Sequence, residues 1–452
     1  MSSPHEKRIP RIKGSLLFGN WSEFQKDRLG LLLRVARECG ELGEFRMGPL
    51  SLFLANSPKI LHELLVEKAG KLTPEPFAKS FYPVTGRTAL PGIDGEYHRR
   101  LRRIMAPAFQ HKRLVAYAEQ MVSLADEYQH GLGDGAEVDI VQLMHHLSRD
   151  IIAECIFRMD FKEEERFFQS VRIAAEYIGA GAANPLRPPL SVPTASNLRT
   201  RAAVAYIRQR IQELLAAGRQ RGDKGDVLSM LLLAKDEDGT GLTEEELRDQ
   251  TLILYLAGHE TVANALAWTG LMLAQHPEVQ ARVHAEVDAV LGGRPPTYAD
   301  LAQLPYVLQV IKETMRLYPP GHIFGRAPVE DMEIGGYRMR KGQFIMISPY
   351  VIHRHPELFP EPERFEPERF MPELEKKLPR SAYIPFGNGP HVCIGQHFAL
   401  MEMQLVVAHL CQNVALSLVP DQHVRALPLA TLSPSPFLLK VRRRKAAIAL
   451  AS

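Results

Sequence analysis

The chain has 452 residues, of which 45% are hydrophobic and 24% are charged, and this is the composition of a globular protein with a large core. The net charge of +3 comes from basic residues spread along the chain, which argues against a nucleic-acid-binding surface. Four cysteines lie far apart without a CxxC pair, so we expect a reducing compartment, no disulfide framework and no zinc site. The N-terminus lacks an apolar h-region, and we therefore expect neither a signal peptide nor a membrane anchor.

The first part of the chain alternates between helical and strand patterns. Apolar residues recur at helical spacing over residues 21–38. Residues 42–55 alternate and break at Gly48-Pro49, which predicts a β-hairpin. A second helix is expected over residues 58–69. Residues 73–94 combine prolines with aromatic residues and are expected to form a long loop, which is usually functional when it is ordered.

A basic segment begins the next predicted helix at Gly95. His98 and Arg102 are four residues apart, so both side chains project from one face of this helix. An arginine on such a face suits a paired carboxylate. A run of basic residues is also typical of a solvated surface, and the spacing alone leaves both interpretations open.

The longest predicted helix opens with the capping-box sequence Thr243-Glu-Glu-Glu246. Its apolar stretch contains the ionisable residues His259 and Glu260, which favours a buried core helix over a membrane span. Gly258 costs about 1 kcal/mol relative to alanine within a helix, so a compensating use is plausible. Thr261 can return its hydroxyl to the carbonyl four residues earlier and loosen the helix there.

A single cysteine lies in the glycine-rich loop Phe386-Gly-Asn-Gly-Pro-His-Val-Cys-Ile-Gly395, directly before a helical pattern over residues 397–410. The loop glycines permit backbone angles and close approaches that a side chain would block. We expect the Cys393 thiol to ionise easily, because a helix N-terminus favours the thiolate. Such a thiolate can act as a nucleophile or as a metal ligand, and a buried structural cysteine is the alternative.

The spacing Phe-x-x-Gly-x-His-x-Cys-x-Gly resembles the haem-ligand loop of the cytochrome P450 family. The resemblance implies that Cys393 is the axial ligand of haem iron, where a thiolate favours O–O cleavage. It also implies that Phe386 shields the sulfur, that His391 is the basic residue of the loop and that Gly395 belongs to the haem-binding set.

Residues 257–261, Ala-Gly-His-Glu-Thr, resemble the oxygen-activation motif of the same family. The resemblance implies that Ala257 and Gly258 leave room for O2, that Thr261 hydrogen-bonds the bound oxygen and that Glu260 relays protons through water. The chain departs from the family at Val262, where threonine or serine is frequent.

Two further sets of residues follow from the resemblance. His98, Arg102 and Arg326 match residues that hold the haem propionates. Glu313 and Arg316 match a Glu-x-x-Arg pair that is joined by an arginine from a Pro-Glu-Arg-Phe segment, here Arg369. The near copy at residues 362–365 makes the choice of Arg369 depend on its distance from Cys393 along the chain. The role of the three charges would be structural.

The substrate cavity is expected to be apolar, and its candidate residues are found by position within the family. Aromatic residues in loops are equally often simple packing. The candidates are Phe77, Phe81, Tyr82, Ile323, Phe324 and Phe437.

The resemblance thus implies a mainly α cytochrome P450 fold over residues 1–452, with a small β-rich lobe at about residues 40–70 and 325–350. Haem b would lie between the long central helix and the helix that follows the cysteine loop. The implied enzyme is a cytoplasmic bacterial monooxygenase for a small hydrophobic substrate and O2. Its electrons would come from a separate ferredoxin or flavodoxin with an NAD(P)H reductase, attracted by positive residues such as Arg103 and Lys112.

Three alternatives are weighed against this interpretation. A peroxygenase would use H2O2, and an isomerase or dehydratase of the same fold usually lacks the threonine, so the Glu260-Thr261 pair argues against both. The third alternative is a non-catalytic helical binding protein in which Cys393 is merely buried.

Overall fold

The computed structural model describes residues 7–158, 165–183 and 187–444. Residues 159–164, where we expected the start of a helix over residues 162–180, lie outside this range. The described part is mostly helical with four small sheets. Within it, none of the helices combines the length and apolar character that crossing a bilayer requires.

Most of the longer helices lie between residues 95 and 317 and after Gly395. In chain order they are α1 (Trp21–Lys26), α2 (Arg28–Cys39), α3 (Pro58–His62), α4 (Glu75–Ala78), α5 (Tyr82–Thr85), α6 (Gly95–Met105), α7 (His111–His130), α8 (Ile140–Phe157), α9 (Glu165–Ala183), α10 (Ala195–Arg221), α11 (Val227–Leu233), α12 (Glu244–Gln275), α13 (Pro277–Leu291), α14 (Pro305–Leu317), α15 (Pro349–Ile352), α16 (Pro372–Glu375) and α17 (Gln396–Asn413).

The strands are short and lie near both ends of the chain, between α7 and α8, and between α14 and α15. They are β1 (Leu42–Met47), β2 (Leu50–Ala55), β3 (Leu72–Thr73), β4 (Glu137–Asp139), β5 (Phe324–Pro328), β6 (Met332–Ile334), β7 (Tyr337–Met339), β8 (Ile345–Ile347), β9 (Val414–Leu418), β10 (Ala426–Pro428), β11 (Leu432–Pro434) and β12 (Leu438–Arg443).

The largest sheet has the strand order β1-β2-β8-β5-β3. β1 and β2 form the predicted hairpin, in which Met47 lies opposite Leu50. β2 pairs in parallel with β8, whereas β5 pairs antiparallel with β8 and with β3. The sheet therefore joins the N-terminal hairpin to residues 324–347 and places Arg326 on β5.

The central helix α12 begins with the predicted capping box. The Glu246 N–H donates to the Thr243 hydroxyl at 3.2 Å, and the Thr243 N–H donates to the Glu246 carboxylate at 2.8 Å. Every residue from Val262 to Ala274 is buried, but Ala257 is exposed. Since α12 packs against α8, α14 and α17, exposure at this point of the helix indicates internal space beside Ala257.

The expected loop over residues 73–94 contains more regular structure than we predicted. α4, α5 and a 3₁₀ turn at Leu90–Gly92 lie within it. Each of the three carries proline in its first two positions, where the missing N–H would have no helical partner. The prolines that suggested a loop therefore begin short helical turns.

The basic run that begins at Lys440 is part of a strand and not simply a solvated segment. Lys440 and Arg442 are exposed, but Val441 between them is buried, as expected for alternating residues of β12. Arg444 contacts the Asp288 carboxylate at 2.5 Å and ties the end of this strand to α13. The last residue of the run, Lys445, lies outside the described residues.

Candidate functional site

The cysteine loop is shaped by two glycines with positive φ. Gly387 has φ of 74° and Gly389 has φ of 69°, a region that side chains other than glycine rarely occupy. A Cβ at Gly389 would also lie 1.8 Å from the carbonyl oxygen of Leu65. The Cys393 N–H donates to the Phe386 carbonyl at 2.9 Å. This bond closes the loop just before α17.

Gly395 needs neither the positive φ nor the close backbone contact that require glycine elsewhere in this loop. Its φ is −90°, and a Cβ there would lie 4.0 Å from the Cys393 sulfur, which is an ordinary contact. Our expectation that all three loop glycines serve the backbone is therefore wrong for Gly395. Its N–H instead hydrogen-bonds the Cys393 sulfur.

The Cys393 thiol is less acidic than the sequence suggested. Its side chain is exposed, yet surrounding protein atoms desolvate it, and burial raises the pKa of the thiol. The two observations agree if Cys393 faces enclosed internal space. The Gly395 N–H and the charge of Arg102 lower the pKa, but burial is the larger effect. Proximity to a helix N-terminus alone was thus a poor guide.

Four basic side chains, which we call the cation cluster, gather beside the cysteine loop: His98, Arg102, Arg326 and His391. The His98 and His391 rings stack with centroids 4.0 Å apart. Arg102 donates to the Val392 carbonyl at 2.6 Å and so contacts the residue before Cys393. Arg326 donates to the Gly325 carbonyl at 2.9 Å.

The cation cluster lacks sufficient negative charge of its own. Burial is the main cause that lowers the pKa of His98 to about 4, of His391 to about 3 and of Arg326 to about 10. The charges of Arg102 and Arg326 add to the effect on both histidines. His391 is therefore neutral here, although the resemblance makes it the basic residue of the loop. The charges of Arg102 and Arg326 provide a suitable site for carboxylates, and the haem propionates fit this site.

The helix motif on α12 has the expected local bond. The Thr261 hydroxyl donates to the Ala257 carbonyl at 2.7 Å. Gly258, however, faces α8, because a Cβ there would lie 2.7 Å from Ile152 Cδ1. Gly258 thus serves helix packing, whereas Ala257 faces the internal space. Val262 is buried in the main core.

Glu260 has a partner that the sequence did not reveal. The Thr431 hydroxyl donates to Glu260 Oε1 at 2.6 Å. Burial raises the pKa of the Glu260 carboxyl, although this hydrogen bond acts in the opposite direction. Thr431 lies far along the chain in an unremarkable Leu-Ala-Thr-Leu sequence, so no motif singled it out.

Glu313 and Arg316 form a fully buried ion pair, and Arg369 lies close to the carboxylate of that pair. Arg316 contacts Glu313 at 2.7 Å, and Arg369 Nε lies 3.5 Å from the same carboxylate. Arg364, from the near copy of the segment, pairs instead with the exposed Glu361 at 3.1 Å. Burial raises the pKa of Glu313, and its bonds to Arg316 oppose this.

The six candidate substrate residues divide into two groups. Five are half-buried: Phe77, Phe81, Tyr82, Ile323 and Phe324. The Phe77 and Phe81 rings lie 5.1 Å apart, and the Tyr82 hydroxyl donates to the Gly92 carbonyl at 3.2 Å. Phe437, in contrast, is 2% exposed and packs in the main core, which leaves it almost no surface for a ligand.

Arg103 and Lys112, the two residues expected to attract an electron donor, differ in how far their charge is compensated. Arg103 lies 3.0 Å from Asp236 and 3.5 Å from Glu237, so much of its charge is compensated. Lys112 is exposed at the start of α7. Of the two, Lys112 is the better candidate for a surface that attracts an acidic partner.

A cysteine loop beside buried cations, together with a helix that carries Glu260 and Thr261, defines a haem-thiolate enzyme. The cytochrome P450 family model matches residues 10–441. The chain belongs to the cytochrome P450 family.

Several bacterial enzymes are similar to it over most of their length. Cyclooctat-9-en-7-ol 5-monooxygenase from Streptomyces melanosporofaciens is 37% identical over 84% of this chain and 83% of its own. Cyclooctatin synthase from the same organism is 34% identical, with 88% of each chain covered. Pentalenene oxygenase from Streptomyces avermitilis is 32% identical, covering 87% and 88% of the two chains.

Solved structures of cytochromes P450 have the same fold as this chain. The haem domain of cytochrome P450DA superposes with a TM-score of 0.88 at 27% identity, over 98% of this chain and 99% of that one. The retinoic-acid-bound cyanobacterial CYP120A1 gives a TM-score of 0.87 at 25% identity, over 97% and 100%. The protein is thus a mainly α haem b oxidoreductase with a cytochrome P450 fold, and the alternative of a non-catalytic binding protein is wrong.

Proposed function

We propose that the protein inserts one atom of O2 into a C–H bond or an alkene of a hydrophobic substrate and reduces the other atom to water. For hydroxylation, the balance is one substrate, one O2, two electrons and two protons, which give one alcohol and one water. The observation that carries this proposal is the presence of both halves of the site in one chain. These are the Cys393 loop with its cation cluster, and the Thr261-Glu260 pair on α12.

In this proposal Cys393 ligates the haem iron, while His98, Arg102 and Arg326 hold the propionates. The bound haem supplies the redox chemistry and the oxygen activation. The Gly395 N–H that reaches the Cys393 sulfur stabilises the thiolate. The hydrogen bond from the Cys393 N–H to the Phe386 carbonyl, at 2.9 Å, keeps the sulfur in a fixed orientation.

In this proposal Thr261 and Glu260, both on α12, deliver protons to the bound oxygen. The Thr261 hydroxyl donates a hydrogen bond to the Ala257 carbonyl, and this bond fixes the orientation of the hydroxyl. Glu260 is half-buried, and burial raises the pKa of its carboxyl, which favours the protonated form that can donate a proton.

For the substrate, we propose a cyclic, terpene-like alkene or alcohol. The names of two relatives contain cyclooctat-9-en-7-ol and pentalenene, and both relatives are covered over more than four fifths of their length. The half-buried Phe77 and Phe81 offer the apolar surface that such a molecule needs.

The electron donor in this proposal is a separate ferredoxin or flavodoxin with its NAD(P)H reductase, and Lys112 contributes to its attraction. Residues 1–452 are proposed to act as one catalytic domain, since the family match spans residues 10–441. The proposed compartment is the cytoplasm, which fits the four unpaired cysteines.

The first test is the absorption spectrum of the reduced protein with carbon monoxide, for wild type and Cys393→His. A strongly red-shifted Soret band that the variant loses is the expected result. Cys155→Ala, which alters a buried thiol on α8, should keep the band. A wild-type band retained in Cys393→His would refute ligation by Cys393.

Turnover measurements then show whether the enzyme uses O2 or H2O2 as its oxidant. Product formation from a cyclic terpene should require O2 and the reductase system. Equally fast turnover with H2O2 alone would favour the peroxygenase instead.

A further inference from the structure

One face of α12 holds the hairpin formed by β10 and β11. Glu260, Asn264 and Trp268 are spaced four residues apart and therefore share this face. Glu260 contacts the Thr431 hydroxyl at 2.6 Å, and the Trp268 indole N–H donates to the Leu432 carbonyl at 3.0 Å. Three consecutive turns of the helix thus contact neighbouring residues of the hairpin.

Asn264 provides the middle contact and is fully buried. Its amide nitrogen donates to the Thr431 hydroxyl at 2.8 Å and to the Ser433 hydroxyl at 2.9 Å. Both amide hydrogens are therefore used. Since the Thr431 oxygen accepts from Asn264, its own hydrogen is directed to Glu260.

Two histidines fix the orientation of the Asn264 amide. His145 Nε2 lies 3.3 Å from Asn264 Oδ1, which can only accept, so this nitrogen carries the hydrogen. His145 Nδ1, which then carries no hydrogen, lies 3.4 Å from His259 Nε2. Burial lowers the pKa of both histidines, that of His259 to about 3, which agrees with this neutral arrangement.

The donors in this network therefore point in one direction, from His145 through Asn264 and Thr431 to Glu260. An amide does not readily pass a proton onward, so the network is suited to holding Glu260 in place and not to conducting protons. Thr431 binds Oε1, and Oε2 is left as the oxygen that exchanges a proton.

We propose that Thr431 and Asn264 are positioning residues that hold the Glu260 carboxyl in its working orientation. The β10–β11 hairpin thereby couples its own position to proton delivery on α12. This inference rests on the proposed role of Glu260. Trp268, whose ring centroid lies 3.8 Å from that of Tyr318, attaches the hairpin through its own bond to Leu432, so attachment does not depend on the bond to Glu260 alone.

The test compares Thr431→Val, which removes the hydroxyl at nearly constant shape, with Thr431→Ser, which retains it. Ser433→Ala is the matched control, because Ser433 accepts from the same amide but does not contact Glu260. The first readout needs no substrate. Infrared difference spectra upon photolysis of the reduced carbon monoxide complex should contain a carboxyl band of Glu260, identified by its loss in Glu260→Gln.

We expect this band to shift in Thr431→Val, to return in Thr431→Ser and to remain in Ser433→Ala. The second readout is the share of NAD(P)H electrons recovered in product and not in H2O2, which should fall roughly threefold or more in Thr431→Val. Asn264→Ala is the second variant if Thr431→Val folds poorly, and it should shift the band in the same direction.

The outcomes separate the two proposals. If Glu260→Gln leaves the electron yield unchanged, the role of Glu260 itself is refuted. If Glu260→Gln lowers the yield but Thr431→Val matches wild type in both band and yield, the positioning role is refuted.

Discussion

A single buried carboxyl on α17 should make the stability of this protein depend on pH. Glu402 on α17 lies fully buried and accepts from the Ser148 hydroxyl at 2.7 Å. Burial raises the pKa of its carboxyl to about 8 from an ordinary value of 4.5. The folded state therefore holds this proton more tightly than the unfolded state does between these two values.

A pH-dependent stability follows from Glu402. Its contribution should be complete below about pH 4.5 and should be lost as the pH rises through about 8. In Glu402→Gln, which cannot ionise, the free energy of unfolding should fall less between pH 5 and pH 8, by about 1 to 3 kcal/mol. Urea denaturation followed by circular dichroism at several pH values measures this.

The control for this prediction is Glu119→Gln, at an exposed position of α7, which should leave the pH dependence as in wild type. Identical pH profiles for wild type and Glu402→Gln would show that Glu402 is already ionised in the folded protein.

Arg369 and Arg364 provide a second comparison at the scale of single residues. Arg369 is close to the fully buried Glu313, whereas Arg364 pairs with Glu361 at the surface. Arg369→Ala should lower the free energy of unfolding by about 1 to 3 kcal/mol, because it reduces the compensation of a buried carboxylate. Arg364→Ala should cost under about 1 kcal/mol.

Thermal or urea denaturation of the two variants, with the haem content of each, checks this prediction. Equal losses in both variants would mean that the buried pair depends on Arg316 alone.

At the scale of elements, the segment between α5 and α6 is attached to α12 by hydrogen bonds. The Thr88 hydroxyl donates to Asp249 at 2.9 Å, and the Leu90 N–H donates to the Gln250 side chain at 3.0 Å. Asp249 packs so closely on Gly86 that a Cβ there would lie 1.9 Å from its carboxylate. A segment that we expected to be a loop is thus attached to the central helix.

Thr88→Val should therefore loosen this segment without unfolding the protein. Amide hydrogen exchange of residues 86–92 should become faster, while exchange in the core of α12 should not change. Thr85→Val is the control, because its hydroxyl returns only to the Phe81 and Gly86 carbonyls within the segment. Equal acceleration in the two variants would argue that the bond to Asp249 contributes nothing specific.

At the scale of the whole molecule, haem binding should contribute to folding stability. The cation cluster joins α6, β5 and the cysteine loop, and the charges of its two arginines disfavour protonation of His98 and His391. A ligand that binds only the folded state stabilises it by mass action. The melting temperature of the haem-loaded protein should therefore exceed that of the haem-free protein.

Arg326→Gln tests the electrostatic part of this effect. The variant should reduce the difference in melting temperature between the two forms, since one propionate partner is lost while the haem-free form is relieved of a buried charge. A difference as large as that of wild type would show that Arg326 is not a propionate partner.

Features that depend on residues a few positions apart could be predicted from the sequence. The glycines of the cysteine loop, the Thr243–Glu246 capping box and the bond from Thr261 to Ala257 are local. Hydrogen bonds across one helical turn and the sign of φ are governed by neighbouring residues, so a motif is sufficient to predict them.

Features that depend on packing between distant segments could not be predicted and became visible only in the folded chain. The raised pKa of Cys393, the contact of Gly258 with Ile152, the burial of Phe437 and the bond between Thr431 and Glu260 all belong to this group. Desolvation and long-range hydrogen bonds depend on which elements meet in space. A single sequence does not encode that arrangement in any local pattern.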